Sequence, residues 1–318
     1  TNGSDLDWQA RPVPRLPGDA LSTDAKRCWT GSMGSRCKGC AYRSVTRLWD
    51  NVPMELLSSF ADTDKPRGSV LIAHGFAEHH GRYTNLTRAL NDAGYDAWFF
   101  DFINHGSAPG AADPKKRARV DVGRLIGEHL EARKELLNVV RTPRIFLFGH
   151  SMGGLITLAS TLLSPHHIEA VAVTGPALRP LPAINLQVAK MGQSVGRLLP
   201  GLNTVLLDDT LLSHDPAVVD AYRADPLVYT GKVPLLTGAS MAVQGNYVIE
   251  NAPILARPTL ILHGSSDGLA DMVGSVEFVD RANGEAELEI IEGAYHELLN
   301  EPDREQFEAR IIDWYGKF

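Results

Sequence analysis

Cysteine is scarce in this chain of 318 residues. There are three, Cys28, Cys37 and Cys40, all within the first 40 positions. An odd number cannot pair fully within one chain, and no disulfide framework can support the long remainder that has none. Cys37-Lys38-Gly39-Cys40 has CxxC spacing, but no second CxxC or HxxxH pattern follows to complete a four-ligand zinc site. A local disulfide or free thiols fit better. Long apolar runs are missing too: none reaches the roughly 20 residues that a membrane-spanning helix needs. The first residues, beginning at Thr1, carry no signal-peptide pattern. A cytoplasmic or membrane-peripheral location is therefore expected, with a secreted or periplasmic one if the cysteines form a disulfide. Positive charge is in deficit, with Lys and Arg numbering 31 against 38 Asp and Glu, a net charge of −7. Lys115-Lys116-Arg117-Ala118-Arg119 is the one basic cluster and reads as a solvated turn before a helix. This argues against nucleic acid as a partner, because such binding needs clustered cations facing phosphates. There is no internal repeat and no low-complexity tract.

What is present suits an ordinary globular protein, with 44% hydrophobic and 22% charged residues. Residues 1–42, with Pro12, Pro14 and Pro17, show no periodicity and read as an arm or leader of unknown role. From residue 43 to 318 a strand–helix rhythm predicts one α/β domain with a mostly parallel, eight-stranded sheet. Ser44–Trp49 and Met54–Phe60 flank Asp50-Asn51, a turn pair, as an antiparallel hairpin. Ser69–Ala73, Asp96–Phe100, Arg144–Phe148, Ile168–Val173, Thr259–Leu262 and Ala286–Ile291 are apolar runs of the kind expected for strands covered on both faces. Helices are predicted over 83–93, 122–139, 153–163, 273–282 and 304–315. About 80 residues, roughly 177–256, separate two successive strands. That is too long for a bare loop and predicts an inserted helical cap.

The chemistry-bearing residues stand where the strands end, which is where open α/β sheets place their active sites. Ser151, in Gly149-His150-Ser151-Met152-Gly153, lies at a strand-to-helix turn whose glycines keep side chains out of the neighbouring strand and helix. A serine hydroxyl is a weak nucleophile and needs a base beside it. His296, after the Ala286–Ile291 strand, is the candidate. His74 and His105 precede Ser151, against the chain order of this arrangement. His150 points away from the hydroxyl beside it, and His263 reads as loop-holding. Asp267 follows the penultimate strand and would orient His296, with Asp271 as the fallback. Oxyanion donors are expected from the backbone N–H groups of Met152 and, after His74-Gly75, of Phe76. Glu78 and Arg82 form a candidate ion pair, and with His79, Asp101 and His105 they read as loop structure.

HGFAEHHGRY, GHSMGG, HGSSD and AYHELLNEP together resemble the monoacylglycerol lipase and lysophospholipase group of α/β-hydrolases, over roughly residues 43–318. Asp225-Pro226-Leu227-Val228-Tyr229 is similar to that group's cap-end segment. The group's Asp-x-x-Gly-His-Gly-x-Ser loop stands here with Asn104 in place of Gly and with Ser107 one residue early. The resemblance implies a triad of Ser151, Asp267 and His296, an oxyanion hole at Phe76 and Met152, and no cofactor or metal. It also implies an apolar cap helix, with Ile184 and Leu186, that touches lipid and admits one acyl chain. The expected activity is hydrolysis of a monoacyl lipid ester, with peripheral membrane contact through the cap. The alternatives are a carboxylesterase for small or xenobiotic esters, a lysophospholipase or acyltransferase, or an inactive binding module on the same fold. A haloalkane dehalogenase or epoxide hydrolase would carry Asp where Ser151 stands.

Overall fold

Apolar runs with turn residues at both ends become eight strands: β1 Arg43–Trp49, β2 Val52–Ser59, β3 Gly68–Ala73, β4 Tyr95–Phe99, β5 Ile145–His150, β6 Val171–Thr174, β7 Thr259–Gly264 and β8 Ala286–Ile291. They form one sheet in the order β1-β2-β4-β3-β5-β6-β7-β8, antiparallel at β1–β2–β4 and parallel elsewhere. The computed structural model describes residues 43–49 and 52–318. The N-terminal arm with its cysteines and the Asp50-Asn51 turn lie outside the described residues. Eight helices accompany the strands among these residues. Three precede β6: α1 Thr84–Asp92, α2 Val122–Leu136 and α3 Met152–Leu163. Between β6 and β7 come α4 Leu186–Leu198, α5 Pro216–Ala224 and α6 Leu235–Asn251, and after β7 come α7 Val273–Arg281 and α8 Arg304–Tyr315.

The continuous apolar strands are explained by two cores. Leu71, Ile145, Leu147, Val171, Val173 and Ile261 face α2, α3, α6 and α7. Val70, Ile72, Phe146, Phe148, Leu260 and Leu262 face α1 and α8 on the other side. Alternate residues of one strand thus serve opposite layers, so neither parity is free to be polar. α8 is also tied to the sheet by polar bonds, as Trp314 Nε1–H donates to Val171 O and Tyr315 O–H to Leu147 O. β6 begins at Val171 rather than at Ile168, because its partner β7 begins at Thr259, the residue paired with Val171. β8 is the exception to two-sided burial. It is an edge strand, and its Glu287 and Glu289 are exposed and bridged by Arg310.

The sheet order reverses between β3 and β5, so the crevice at their carboxyl ends is the switch point where α/β sheets bind ligands. The segment 177–256 roofs this crevice. α4 and α6 pack closely enough that a Cβ at Gly196 would lie 2.7 Å from the Leu236 backbone. At its far end α6 leaves the roof and enters the sheet core through Val248 and Ile249. The basic cluster before α2 is more than a solvated turn. Lys115 and Lys116 are exposed, but Arg117 donates to the carbonyls of Pro226 and Val228, and Arg119 to those of Pro200 and Leu202 and to Asn203. These are cap residues, so the two arginines brace the roof.

Glu128 of α2 is buried and accepts the Ile103 N–H at 3.0 Å. Burial raises its carboxyl to about 7, against the lowering effects of that N–H and of Arg124. The folded state therefore binds a proton there that the unfolded chain has released, and stability falls as pH rises from the ordinary carboxyl range through about 7. Glu128→Gln keeps an acceptor for Ile103 and removes the charge. Its melting temperature should exceed the wild type's by about 2–4 °C near pH 8, and the gain should shrink at about pH 5. Calorimetry at both pH values checks this.

Candidate active site

Ser151 sits between β5 and α3 with φ 53° and ψ −119°, a conformation that L-residues avoid. Its neighbours make this possible. A Cβ at Gly149 would lie 2.5 Å from Gly153 O, and one at Gly153 would lie 2.1 Å from Ala73 O, so only glycine fits at either position. The Ser151 N–H donates to Thr174 O of β6 at 3.0 Å, and its carbonyl accepts from Leu155 and Ala177. Held this way, the hydroxyl projects into the crevice.

Two loops from the other end of the sheet meet it. Ser151 Oγ lies 2.9 Å from His296 Nε2, and His296 Nδ1 lies 2.6 Å from Asp267 Oδ2. A carboxylate only accepts, so Nδ1 carries the imidazole proton and Nε2 is left to accept from the serine. Asp267 also holds its own turn, since its Oδ1 accepts the N–H groups of Leu269 and Ala270. One oxygen of Asp267 thus holds the turn and the other bonds His296. Burial would raise the Asp267 carboxyl, but His296 and His263 outweigh it and hold Asp267 far below the ordinary range. For His296, burial acts to lower the imidazole, and the Asp267 charge and hydrogen bond reverse this to a net rise. Asp271 faces elsewhere: its side chain caps Val273 N–H, and it makes no bond to His296. Gly175, at φ 48°, lets the β6 end pass within reach of the Asp267–His296 pair, where a Cβ would lie 3.2 Å from both side chains.

The loop after β3 forms the opposite wall. A Cβ at Gly75 would lie 3.3 Å from Ser151 Cβ, so the backbone at Gly75-Phe76 runs beside the serine. Met152 opens α3, where a backbone N–H has no intrahelical acceptor. Among the described residues neither Met152 N–H nor Phe76 N–H donates to a backbone carbonyl outside the regular elements. Glu78 holds the loop: its Oε1 accepts Gly75 N–H and Tyr83 O–H, each at 2.6 Å, while Oε2 pairs with Arg82 at 2.9 Å. Arg82 reaches on to Glu297, beside His296, in a bidentate pair of 2.5 and 2.8 Å. All three charged groups are nearly buried. This is more than loop structure, because it ties the Phe76 loop to the His296 loop. The sequence reading missed Glu297, whose one signal is its position next to His296, and Tyr222, whose ring covers the Arg82 guanidinium from α5 at 4.8 Å.

Histidines of the neighbouring loops hold those loops. His74 Nε2 accepts Phe102 N–H, His105 Nδ1–H donates to Ile103 O, and His79 Nε2–H donates to Asp225 in the cap-end segment. Asp101 accepts from His80 and from both Ser107 donors, and Asn104 takes φ 66°, a left-handed conformation asparagine tolerates in place of glycine. His150 turns from the serine hydroxyl and bonds to Thr174.

Above Ser151 the cap encloses a cavity of about 530 Å³. Its floor is Ser151, His296 and Phe76, and its walls are apolar, with Val188, Met191 and Val195 from one face of α4. Ile184 lines it and Leu186 does not. Residues two apart on a helix point to nearly opposite sides, so Leu186 cannot share the face of Val188. Among the described residues there is no group of three side chains placed to ligate a metal.

Residues 64–303 match the family described as "Serine aminopeptidase, S33" (Hydrolase_4). The chain is similar to the monoacylglycerol lipase of Mycolicibacterium smegmatis, at 34% identity over 80% of this chain and 89% of that protein. It is also similar to the human monoglyceride lipase, at 30% identity over 75% and 78% of the two chains. Among solved structures, the Paleococcus ferrophilus monoacylglycerol lipase superposes with a TM-score of 0.72, at 30% identity over 83% of this chain and 98% of that one.

Removing the central cation should be costly. Arg82→Ala leaves Glu78 and Glu297 buried and unpaired, with an expected loss of about 3–5 kcal/mol in unfolding free energy. Denaturant titration near neutral pH measures this. The deficit should narrow at about pH 5, where the Glu78 carboxyl, buried and without Arg82, can take up a proton.

Proposed function

The chain belongs to the Hydrolase_4 family and is a carboxylic ester hydrolase of the lipase/esterase type, and on that premise we propose that it releases a fatty acid from a monoacyl lipid such as a monoacylglycerol, through an acyl-enzyme on Ser151. The observation that carries the proposal is the Ser151–His296–Asp267 chain at the floor of an apolar cavity.

In this reading Ser151 Oγ attacks the ester carbonyl carbon as its proton passes to His296 Nε2. The oxyanion of the tetrahedral intermediate takes hydrogen bonds from the Phe76 and Met152 N–H groups. His296 then gives its proton to the leaving alcohol and the C–O bond breaks. Water attacks the acyl-enzyme with its proton going to His296, and the fatty acid departs as Ser151 is restored. Asp267 keeps the His296 tautomer fixed and balances the imidazolium in both halves. The α4 face and Ile184 favour a single hydrocarbon chain over a polar or peptide acyl group. Leu198 and Leu206 are 62% or more exposed, an apolar roof suited to touching a lipid surface through the cap, residues 177–234 and the start of α6.

Three measurements test the reading. A fluorophosphonate probe should label the wild type and leave Ser151→Ala unlabelled, with ester turnover in that variant reduced about 10⁶-fold. An ester panel should favour monoacylglycerols over triacylglycerols and peptide amides. A preference for amides would contradict the substrate assignment. Because His296 is raised above the ordinary imidazole value and must be neutral to act, activity should be lost as pH falls through a midpoint above about 6.5.

A further inference from the structure

Asp267 is shared between two imidazoles, and only one of them belongs to the proposed reaction. His263 of β7 is wholly buried, with Nε2 3.2 Å from Asp267 Oδ2 and 3.0 Å from Ala270 O. Both oxygens only accept, so Nε2 carries the His263 proton. Nδ1 is then an acceptor, and it lies 2.8 Å from the hydroxyl of Ser275 in α7, which is buried as well. The tautomer of His263 is thus set by Asp267 and Ala270, and the Ser275 hydroxyl donates to the ring nitrogen left free. The His263 N–H, which donates to Ala270 O, also faces at 3.2 Å a carboxylate that already accepts from Leu269, Ala270 and His296.

We propose that His263, steadied by its bond to Ser275, is a positioning residue for the triad: its Nε2–H, shared with Ala270 O, holds Asp267 Oδ2 against His296 and draws off part of the charge that His296 sees. The inference rests on the reading of Ser151, His296 and Asp267 as the reacting set. A carboxylate that spreads its charge over more donors attracts a neighbouring proton less. With His263 in place, His296 gives up its proton at a lower pH than Asp267 alone would impose, and more of it is in the working form near neutrality. The other groups facing His296 are the carboxylates of Glu297 and Glu78 and the ring of His150, 4.8 Å away. None of them touches His263, so a change at 263 leaves their contributions in place.

The variants separate donation from packing. Glutamine can set its amide N–H close to the position of Nε2, whereas leucine fills similar space with no donor. His263→Leu should move the acidic limb of kcat/KM upward by about half a pH unit or more, with kcat reduced about tenfold and KM little changed. His263→Gln should restore the limb to within a small fraction of that shift. Ser275→Ala, which removes the partner that steadies the ring at Nδ1, should move it partway. Full-length protein with a soluble monoacyl ester serves for all three, with thermal unfolding alongside. If His263→Leu fails to fold, the Gln and Ser275→Ala profiles still decide. A limb that stays at the wild-type position in every folded variant overturns the proposal, as does an equal shift in Gln and Leu. Turnover surviving in Ser151→Ala would instead overturn the triad reading beneath it.

Discussion

A serine held at φ 53° at the mouth of a sheet is the constraint on which the rest depends. The chain must leave β5, expose one hydroxyl and enter α3 within a single residue. The two loops that meet that hydroxyl, and the cap above it, are useful only if it stays there. The strain is small against the folding energy of a domain, of order 1–3 kcal/mol, and it is held by surroundings that allow little else. Gly149 and Gly153 permit the close approach of strand, helix and β3, and Thr174 fixes the Ser151 N–H.

Around that fixed point the Phe76 and His296 loops are joined to each other as well as to the sheet. Arg82 lies between Glu78, which holds the Gly75 N–H, and Glu297, which adjoins His296. A buried ion triad of this kind contributes little net stability over a well-packed apolar equivalent, but it penalises any displacement that would part the charges. Its value is geometric. The cap adds to it from above, because Glu297 N–H and His296 N–H donate to the carbonyls of Leu212 and Leu211, and Tyr229 N–H donates to Ala77 O. Cap, Phe76 loop and His296 loop are thus joined by backbone hydrogen bonds.

Much of this was legible in the sequence, for reasons that can be stated. Polar residues within a few positions of the ends of apolar runs fall near strand ends, so Ser151, Asp267 and His296 pointed to one crevice from the sequence alone. The two-sided burial of β3 and β5 was readable because alternate positions serve different layers. The Arg82–Glu297 pair was not, since 215 residues separate its members and neither has a local signature. The same holds for Arg117 and Arg119, whose partners are backbone carbonyls in the cap. The cap's lining was half legible: Ile184 is on the cavity, but the side that α4 turns inward depends on its phase against α6, which places Val188 and Met191 there instead of Leu186. The start of β6 was set by its neighbour's register and not by its own apolar residues.

Family membership makes the chain an ester hydrolase, and the geometry sets an apolar chamber ending at one serine beneath the cap. The central claim is covalent: the acyl group of a monoacyl ester passes through Ser151. Rapid quenching during turnover of a monoacylglycerol, followed by peptide mass analysis, tests it most directly. The account predicts a transient adduct on the Ser151 peptide with the mass of the substrate's acyl group, absent in Ser151→Ala. Full turnover with no adduct at Ser151, or with one on another residue, would contradict it.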